Sequence, residues 1–395
     1  MQEAGFDVTV YDRRDVAAGA SAGNAGWICP AMVTPLPEPS VLRYALASLF
    51  RPDSPLRVAP AELPAAGPFL AAFASHCTNR QWRAGVSSYA RLNGLALDSY
   101  EALTDSGVMA RIEDAAMITA FERPDQAGRL RHELQAVADT GVTFAVDELS
   151  EADLRREQPL LGPRARHGLR IGGQKFLQPL EFVRSLASAV TNRGGTLVTG
   201  AEVGAVTGRT GGTRLDLRGA HEADAAADFD VCVLANGAWI GRLARAAGAR
   251  TPVRAGRGYS FTVRTPEPLR QPLYIPTLRV ACTPARGGMR VAGTMEFRKP
   301  DDPLDQRRIA AIVRSVEDFM PGVDWSTCSG AWVGARPVTA DGLPIIGRTR
   351  DANIFAAGGH GMWGMTLGPA TGRLLADLIV TGKCPQALVP FDPLR

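Results

Sequence analysis

The chain opens MQEAGFDVTVYDRR, and this segment limits the fold more than any other. Gly5 is a helix stop, and DVTVYD alternates like a buried strand that ends on an acid, Asp12. In a βαβ unit that binds a dinucleotide, the first strand runs into a G-x-G-x-x-G turn. That turn seats the pyrophosphate on a helix N-terminus, and an acid about twenty residues later meets the ribose hydroxyls. A helix tail, a glycine, a strand and an acid form the second half of such a unit. The expectation is that Met1 is an internal residue of the first helix, through a start codon placed too late, or that the protein is a true truncation.

Beyond Asp12, residues 17–30 (AAGASAGNAGWICP) form a loop rich in glycine and alanine. LNGLALDSYEALTDSG and QAGRLRHELQAVADTG carry helical periodicity, with MITAFER between them as a strand. LSEADLRREQPLL is a short helix that Ser150 can cap. PLEFVRSLASAVTNRGG is an amphipathic helix that starts at a proline and stops at Gly194 and Gly195. TLVTGAEVGAVTG reads as a strand pair, TRLDLRG as another strand, and DVCVLANGAWI as a buried strand running into Gly237. The alanine run Ala225–Ala227, between Asp224 and Asp228, reads as part of a turn. PVRAGRGYSFTV, LRVACTPARGGMRVAGTMEF and SGAWVGARPV alternate in the strand manner and imply an antiparallel sheet between Pro252 and Val338. NIFAAGGHGMWGMTLGPATGRLLADLIVTGK closes the chain as strand, glycine loop and long helix.

Hydrophobic residues make up 45% of the 395 and charged residues 21%, enough for a sizeable core without disulfides. Cys29, Cys77, Cys232, Cys282, Cys328 and Cys384 are far apart, with no C-x-x-C pair. That scatter fits a reducing cytosol and argues against zinc or an iron–sulfur cluster, so no metal site is expected. Cys232, in an apolar run, reads as a small buried side chain. The net charge of +4 is thinly spread, and nucleic acid is not expected as a partner. The first residues carry no signal peptide, and no apolar run reaches membrane-spanning length. Ser40–Pro60 (SVLRYALASLFRPDSPLRVAP) is either a packed helix followed by a loop or a segment lying on a surface. The expected location is the cytoplasm, with peripheral contact at the inner face of the membrane left open.

A second glycine loop, AAGGHGMWGMTLGPATGRLLADLI (Ala356–Ile379), stands directly before a helix, where backbone N–H groups and the helix dipole favour an anion. GARPVTADGLPIIGRT (Gly334–Thr349) precedes it. With the Asp12 strand, these motifs resemble the flavoprotein family of D-amino-acid oxidases, glycine oxidase and sarcosine oxidase, and within it the bacterial D-amino-acid dehydrogenase group. The matching pieces are VTVYDRR, SAGNAG (Ser21–Gly26), QPLEFVRSLASAVTNRGG, DVCVLANGAW, RGYSFTV, VAGTMEF, GARPVTADGLPIIG and GGHGMWGMTLG, in the family's order and over nearly the whole chain. The resemblance implies an α/β fold with α+β elements. A Rossmann-like FAD-binding domain, here lacking its first strand, would join an antiparallel-sheet substrate domain. Residues 1–85, 151–245 and 333–395 would belong to the first, and 86–150 and 246–332 to the second. With no pyrophosphate cradle before Asp12, flavin retention by this chain is expected to be weak or absent.

The same resemblance implies residue roles, each with a plainer alternative. Asp12 would accept hydrogen bonds from the adenosine ribose, flanked by Arg13, or the two are a strand end in solvent. Ser21, Asn24, Ala25 and Gly26 match a loop close to the flavin, where small residues let a flat ring approach the backbone, or form an ordinary surface loop. Val203 matches the position whose backbone meets adenine, and Ala235, Gly237 and Trp239 the turn beside the ADP half; packing is the rival for each. Gly359, His360, Gly361 and Met362 would lie near the pyrimidine end of the isoalloxazine, where negative charge grows as the ring takes a hydride. Gly334, Gly364, Met365 and Thr366 complete the cofactor set. His360 is either a proton donor or structural. Arg336, in GARP, would clamp a substrate carboxylate through its planar fork, or is a salt-bridged core arginine. Tyr259 would reach the carboxylate or amine, and Glu296 and Trp363 are further pocket candidates.

The activity so implied is oxidation of a D-amino acid to a 2-oxo acid and ammonia, by hydride transfer from the α-carbon to flavin N5. No cysteine in the GARP motif matches the covalent flavin link of the sarcosine oxidases, so FAD should be noncovalent. Electrons would leave to a quinone or another acceptor, or to oxygen. Arg336 fits any small carboxylate, so glycine, sarcosine, D-proline derivatives and 2-hydroxy acids stay open as substrates. A flavin-free, non-catalytic protein is the alternative of another class. A nicotinamide dehydrogenase would need its own intact glycine loop, and none is visible.

Overall fold

The computed structural model describes residues 1–42, 54–219 and 226–395. Its largest feature is a ten-stranded, mostly antiparallel sheet. The expected strands supply Ser329–Thr339, Val253–Val263, Gly288–Phe297 and Val280–Ala285 in that order, and Leu273–Ile275, a strand not expected from the sequence, follows them. The sheet then continues past the expected boundary through Ile112–Phe121, His167–Leu177 and Trp27–Ile28, with Leu56–Val58 and Val146–Leu149 as side branches.

Period-two alternation sorts the two faces of this sheet. Tyr259, Phe261, Val263, Met289 and Val291 face a core completed by Ile309, Ile312 and Val316 of the helix Gln306–Val316. Ser260, Ala292, Ala281 and Tyr274 stand opposite one another in successive strands, so they share the other face. Two adjacent alanines there make a low floor, and both border a cavity.

The remaining strands form three small sheets. Thr9–Asp12 pairs in parallel with Thr196–Thr199, Asp12 opposite Thr199. Cys232–Leu234 pairs in parallel with Ile354–Gly358, which pairs antiparallel with Ile345–Arg348. Ala201–Arg209, Gly212–Gly219 and Ala226–Phe229 form an antiparallel meander. Three expectations change here. TLVTGAEVGAVTG is two consecutive strands of different sheets, because Gly200 turns the chain in a left-handed conformation (φ +75°). DVCVLANG yields only three strand residues, and its Cys232 is only half-buried. Val233 there is 38% exposed and Val10 of the opening strand 39%, because both border the cavity instead of a helix. Ala226 and Ala227 pair with Asp216 and Leu215 and so lie in a strand, not a turn; the residues before them lie outside the described residues. Most of Ser40–Pro60 also lies outside them, but Leu56–Val58 is a strand parallel to Met295–Phe297.

The helices follow their end signals. Ser150 Oγ accepts the Asp153 N–H at the start of Glu151–Glu157, and Thr78 Oγ1 accepts the Gln81 N–H at the start of Asn79–Gly94. Pro179 opens Pro179–Asn192. The last helix, Gly364–Thr381, ends at Gly382 (φ +69°) and buries Leu367, Ala370, Leu374 and Leu378 against Tyr89 and Leu92. Among the described residues no helix is long and apolar enough to cross a membrane.

Candidate active site

A cavity of about 3520 Å³ runs between the small parallel sheets, the last helix and the alanine floor of the large sheet. Asp12, Arg13, Val203, Ala235, Gly237 and Trp239 border it from the parallel strands and the meander. Ser21, Asn24, Ala25, Tyr259, Gly334, Arg336, His360, Gly361, Met362, Trp363, Gly364 and Met365 border it elsewhere. The fold thus brings together residues from both ends of the chain. Gly26, Gly359, Thr366 and Glu296 stand behind its wall. A Cβ on Gly26 would lie 2.1 Å from the Leu177 carbonyl oxygen, and one on Gly359 would lie 2.8 Å from Thr339 Cγ2. Both glycines therefore answer to close packing. The Thr366 hydroxyl donates to the Trp27 carbonyl (3.1 Å) and accepts from the Cys29 N–H (3.2 Å), tying the last helix to the 21–32 segment.

At the outer end, Asp12 Oδ1 accepts the Arg14 N–H at 2.8 Å. Arg13 turns away from it. Its guanidinium lies 4.5 Å from the Trp239 ring centroid and 2.5 Å from Asp301 Oδ1, while Trp239 Nε1 donates to Asp301 Oδ2 at 2.8 Å. Burial works against the Asp301 carboxylate, but hydrogen bonds from Trp239 and Arg13 hold its pKa below the usual range.

The 21–26 loop is tied down from the sheet. Arg290 Nη1 donates to the Ala22 carbonyl (2.7 Å), and Thr283 Oγ1 donates to the Ala25 carbonyl (2.7 Å). Trp27 Nε1 donates to that same threonine oxygen at 2.8 Å. Asn24 Oδ1 accepts the Gly26 N–H, closing the loop on itself. Gly23 and Gly334 make room for one indole, that of Trp332: an added Cβ would fall 2.1 Å and 1.9 Å from it. Trp332 also borders the cavity. Sequence reasoning missed it, along with Arg290 and Thr283. The available signal was a tryptophan two residues before a glycine in an alternating strand.

Three polar groups determine what the inner end can do chemically. His360 Nε2 is paired with Thr371 Oγ1 (2.9 Å), and burial pushes its pKa down to about 4, so the ring is neutral near pH 7. The next N–H, that of Gly361, donates to the Pro337 carbonyl at 2.9 Å, fixing the glycine loop to the GARP strand. Tyr259 is fully buried and gives its hydroxyl to Glu296 Oε2 at 2.7 Å, with Arg57 3.5 Å from the other carboxylate oxygen. Burial, reinforced by Glu296, pushes the phenol pKa up. Arg336 is half-buried against the cavity, and Nη1 donates to the Thr294 carbonyl at 2.8 Å. Desolvation pushes its pKa down to about 10, which leaves it charged at neutral pH. Among the described residues it makes no ion pair, so it is not a salt-bridged core arginine.

Residues 1–378 match the FAD dependent oxidoreductase family of D-amino-acid-oxidase type. The chain belongs to that family. It is 30% identical over 394 residues to the D-amino acid dehydrogenase of Xanthobacter autotrophicus, covering 98% of this chain and 92% of the relative. It is likewise 30% identical over 396 residues to the D-amino acid dehydrogenase of Sinorhizobium medicae, covering 97% and 92%. Its fold is similar to glycine oxidase from Geobacillus kaustophilus, with a TM-score of 0.72 at 22% identity over 98% of this chain and 92% of that one. It is also similar to iminodiacetate oxidase from Chelativorans, with a TM-score of 0.72 at 18% identity over 99% and 94%. The expected α/β flavoprotein fold is therefore the observed one, and the protein is an oxidoreductase that depends on FAD. The cavity fits such a group. Gly237 (φ +58°) and Gly361 (φ +56°) turn their backbone toward open space, with no heavy atom within 4 Å of an added Cβ.

Proposed function

We propose that this protein oxidises a D-amino acid to a 2-oxo acid and ammonia, with Arg336 holding the substrate carboxylate. The observation that carries this reading is the guanidinium itself: a charged group on a cavity wall whose hydrogen-bond partner among the described residues is a neutral carbonyl. A bidentate carboxylate satisfies such a fork. The relatives named D-amino acid dehydrogenase support an amino acid as the molecule that brings it.

FAD, when bound, supplies the hydride acceptor. Asp12, Val203, Ala235 and Gly237 would hold its adenosine half, and Asn24, Ala25, Gly361, Met362 and the start of the last helix its ring system. Positive ends of backbone dipoles at that helix start favour negative charge on a neighbouring group. The chain's other task is orientation. Arg336 fixes the carboxylate and thereby the α-carbon. His360, neutral and bonded to Thr371, keeps the glycine loop in place and adds no charge. A substrate amine that arrives neutral needs no base, and the imine product hydrolyses in water. The flavin would be noncovalent, and a quinone or comparable acceptor would take the electrons.

The test is a substrate panel with FAD and a dye acceptor, covering D-amino acids, glycine, sarcosine, D-proline and 2-hydroxy acids. D-amino acids should turn over fastest. Arg336→Gln should raise apparent KM by about a hundredfold or more, the scale of a lost charge-assisted pair, and leave the flavin spectrum unchanged. Arg336→Lys should also fail, because the planar fork is lost. Wild-type KM in either variant would remove the carboxylate role.

A further inference from the structure

We infer that Gly258 is a positioning residue that sets where Arg336 presents its fork, beside a β-bulge whose strained backbone at Thr294 aims a carbonyl at the guanidinium. The inference rests on Arg336 being the carboxylate clamp.

In the pairing of Val253–Val263 with Gly288–Phe297, Arg257 stands opposite Glu296 and Tyr259 opposite Gly293. Gly258 alone therefore faces two residues, Thr294 and Met295, which is the count of a β-bulge. At the bulge Thr294 has φ +61°. A β-branched side chain disfavours that region strongly, and such outliers persist only where surrounding structure imposes them. The surroundings are visible. The Met295 N–H donates to the Pro55 carbonyl at 2.6 Å, and Leu56–Val58 pairs with Met295–Phe297 just beyond. The threonine side chain recovers nothing, because its Oγ1 is buried without a hydrogen-bond partner. What the conformation does provide is a carbonyl aimed at Arg336 Nη1.

Gly258 provides the floor. A Cβ there would lie 2.1 Å from Arg336 Nη2 and 2.3 Å from Cζ, so the guanidinium lies flat on the glycine. Gly258 is outside the left-handed region, so its backbone does not require glycine; the arginine does. One backbone blocks the fork from below and one carbonyl holds its edge. The other N–H groups are left to a ligand. Bulges re-aim side chains beside active sites, and here the re-aimed side chain belongs to the neighbouring strand.

Two substitutions test this in opposite directions. In Gly258→Ala the clash falls on the far end of a flexible side chain, so the melting temperature should hold within a few degrees. KM for the D-amino acid should rise tenfold or more with a smaller change in kcat, and affinity for propanoate, a carboxylate that cannot react, should fall in parallel. In an Arg336→Gln background, Gly258→Ala should add nothing to KM. Thr294→Gly removes a strained β-branched side chain that makes no hydrogen bond, so it should raise the melting temperature, which checks that the bulge is held against backbone strain. If Gly258→Ala keeps wild-type KM and propanoate affinity while Arg336→Gln loses both, the positioning inference is overturned and the clamp stands. If Arg336→Gln keeps both, the clamp itself is wrong. Should Gly258→Ala fail to fold, the Arg336→Gln Gly258→Ala double variant decides. It should fold, because the shorter side chain no longer meets the added Cβ; its failure to fold would overturn the inference, since the glycine would then answer to something other than the guanidinium.

Discussion

His360 shows how burial converts a titratable residue into a stability sensor. Its pKa falls from the ordinary 6.5 to about 4 because desolvation penalises the charged ring. An unfolded chain binds that proton below about pH 6.5, whereas the folded protein resists until about pH 4. Stability therefore falls as pH falls through this window, by at most about 1.4 kcal/mol per pH unit, and is flat above it. His360→Asn should remove that part of the slope in urea melts taken at pH 7, 6 and 5; an unchanged slope would show that folding does not shift the ring's pKa. His360 and Arg336 were both legible in the sequence, because the glycine loop and the G-x-R-P setting are local. Trp332 was not. Its indole lies between Gly23 and Gly334, and although its place two residues before Gly334 is local, nothing near it in the sequence announces Gly23.

At the scale of elements, local signals named strands and helices more readily than their partners. Ser150, Pro179 and Gly382 mark helix ends through backbone chemistry that depends on nearby residues alone. Strand pairing depends on distant residues, which is why TLVT and AEVGAVTG seemed partners. The strand His167–Leu177 escaped notice for a different reason. Gly172 and Gly173 interrupt its alternation, Gly173 has φ +72°, and the pairing shifts register opposite Ala115 and Met117. The loop at 21–26 carries a prediction of its own. It is held by Arg290 and Thr283, which come from two adjacent strands of the large sheet. Thr283→Val removes the donor to Ala25 and the acceptor for Trp27 with almost no change in volume. Two hydrogen bonds at about 1 kcal/mol each set the scale. FAD dissociation, followed by fluorescence recovery on dilution, should quicken by about tenfold or more. An unchanged rate would mean the loop does not bear on the ring.

For the whole molecule, the consequence of this topology is that the cavity is closed by segments distant in sequence. Asp12 lies on the opening strand, Val203 and Ala235 in the middle of the chain, and Gly361 at the head of the last helix. Each belongs to a small sheet or loop with little support of its own, and Val10 and Val233 remain partly exposed. A ligand touching all of them binds the folded state only, so it must raise the melting point. At a hundredfold excess over its dissociation constant FAD contributes about 2.7 kcal/mol, which for a chain of this length is about 3 °C. With the adenosine half at Asp12 and the ring at Gly361, as proposed, riboflavin and ADP would each reach only one half of the cavity. Tethering the halves turns the second contact into an intramolecular event, so FAD should be retained far more tightly than either. At equal concentrations, each a hundredfold above the FAD dissociation constant, differential scanning fluorimetry should therefore show a shift with FAD and almost none with riboflavin or ADP, even when both are present together. If the two fragments reproduce the full FAD shift, the cavity is two separate pockets, and the arrangement that places Arg336 beside a redox ring loses its support.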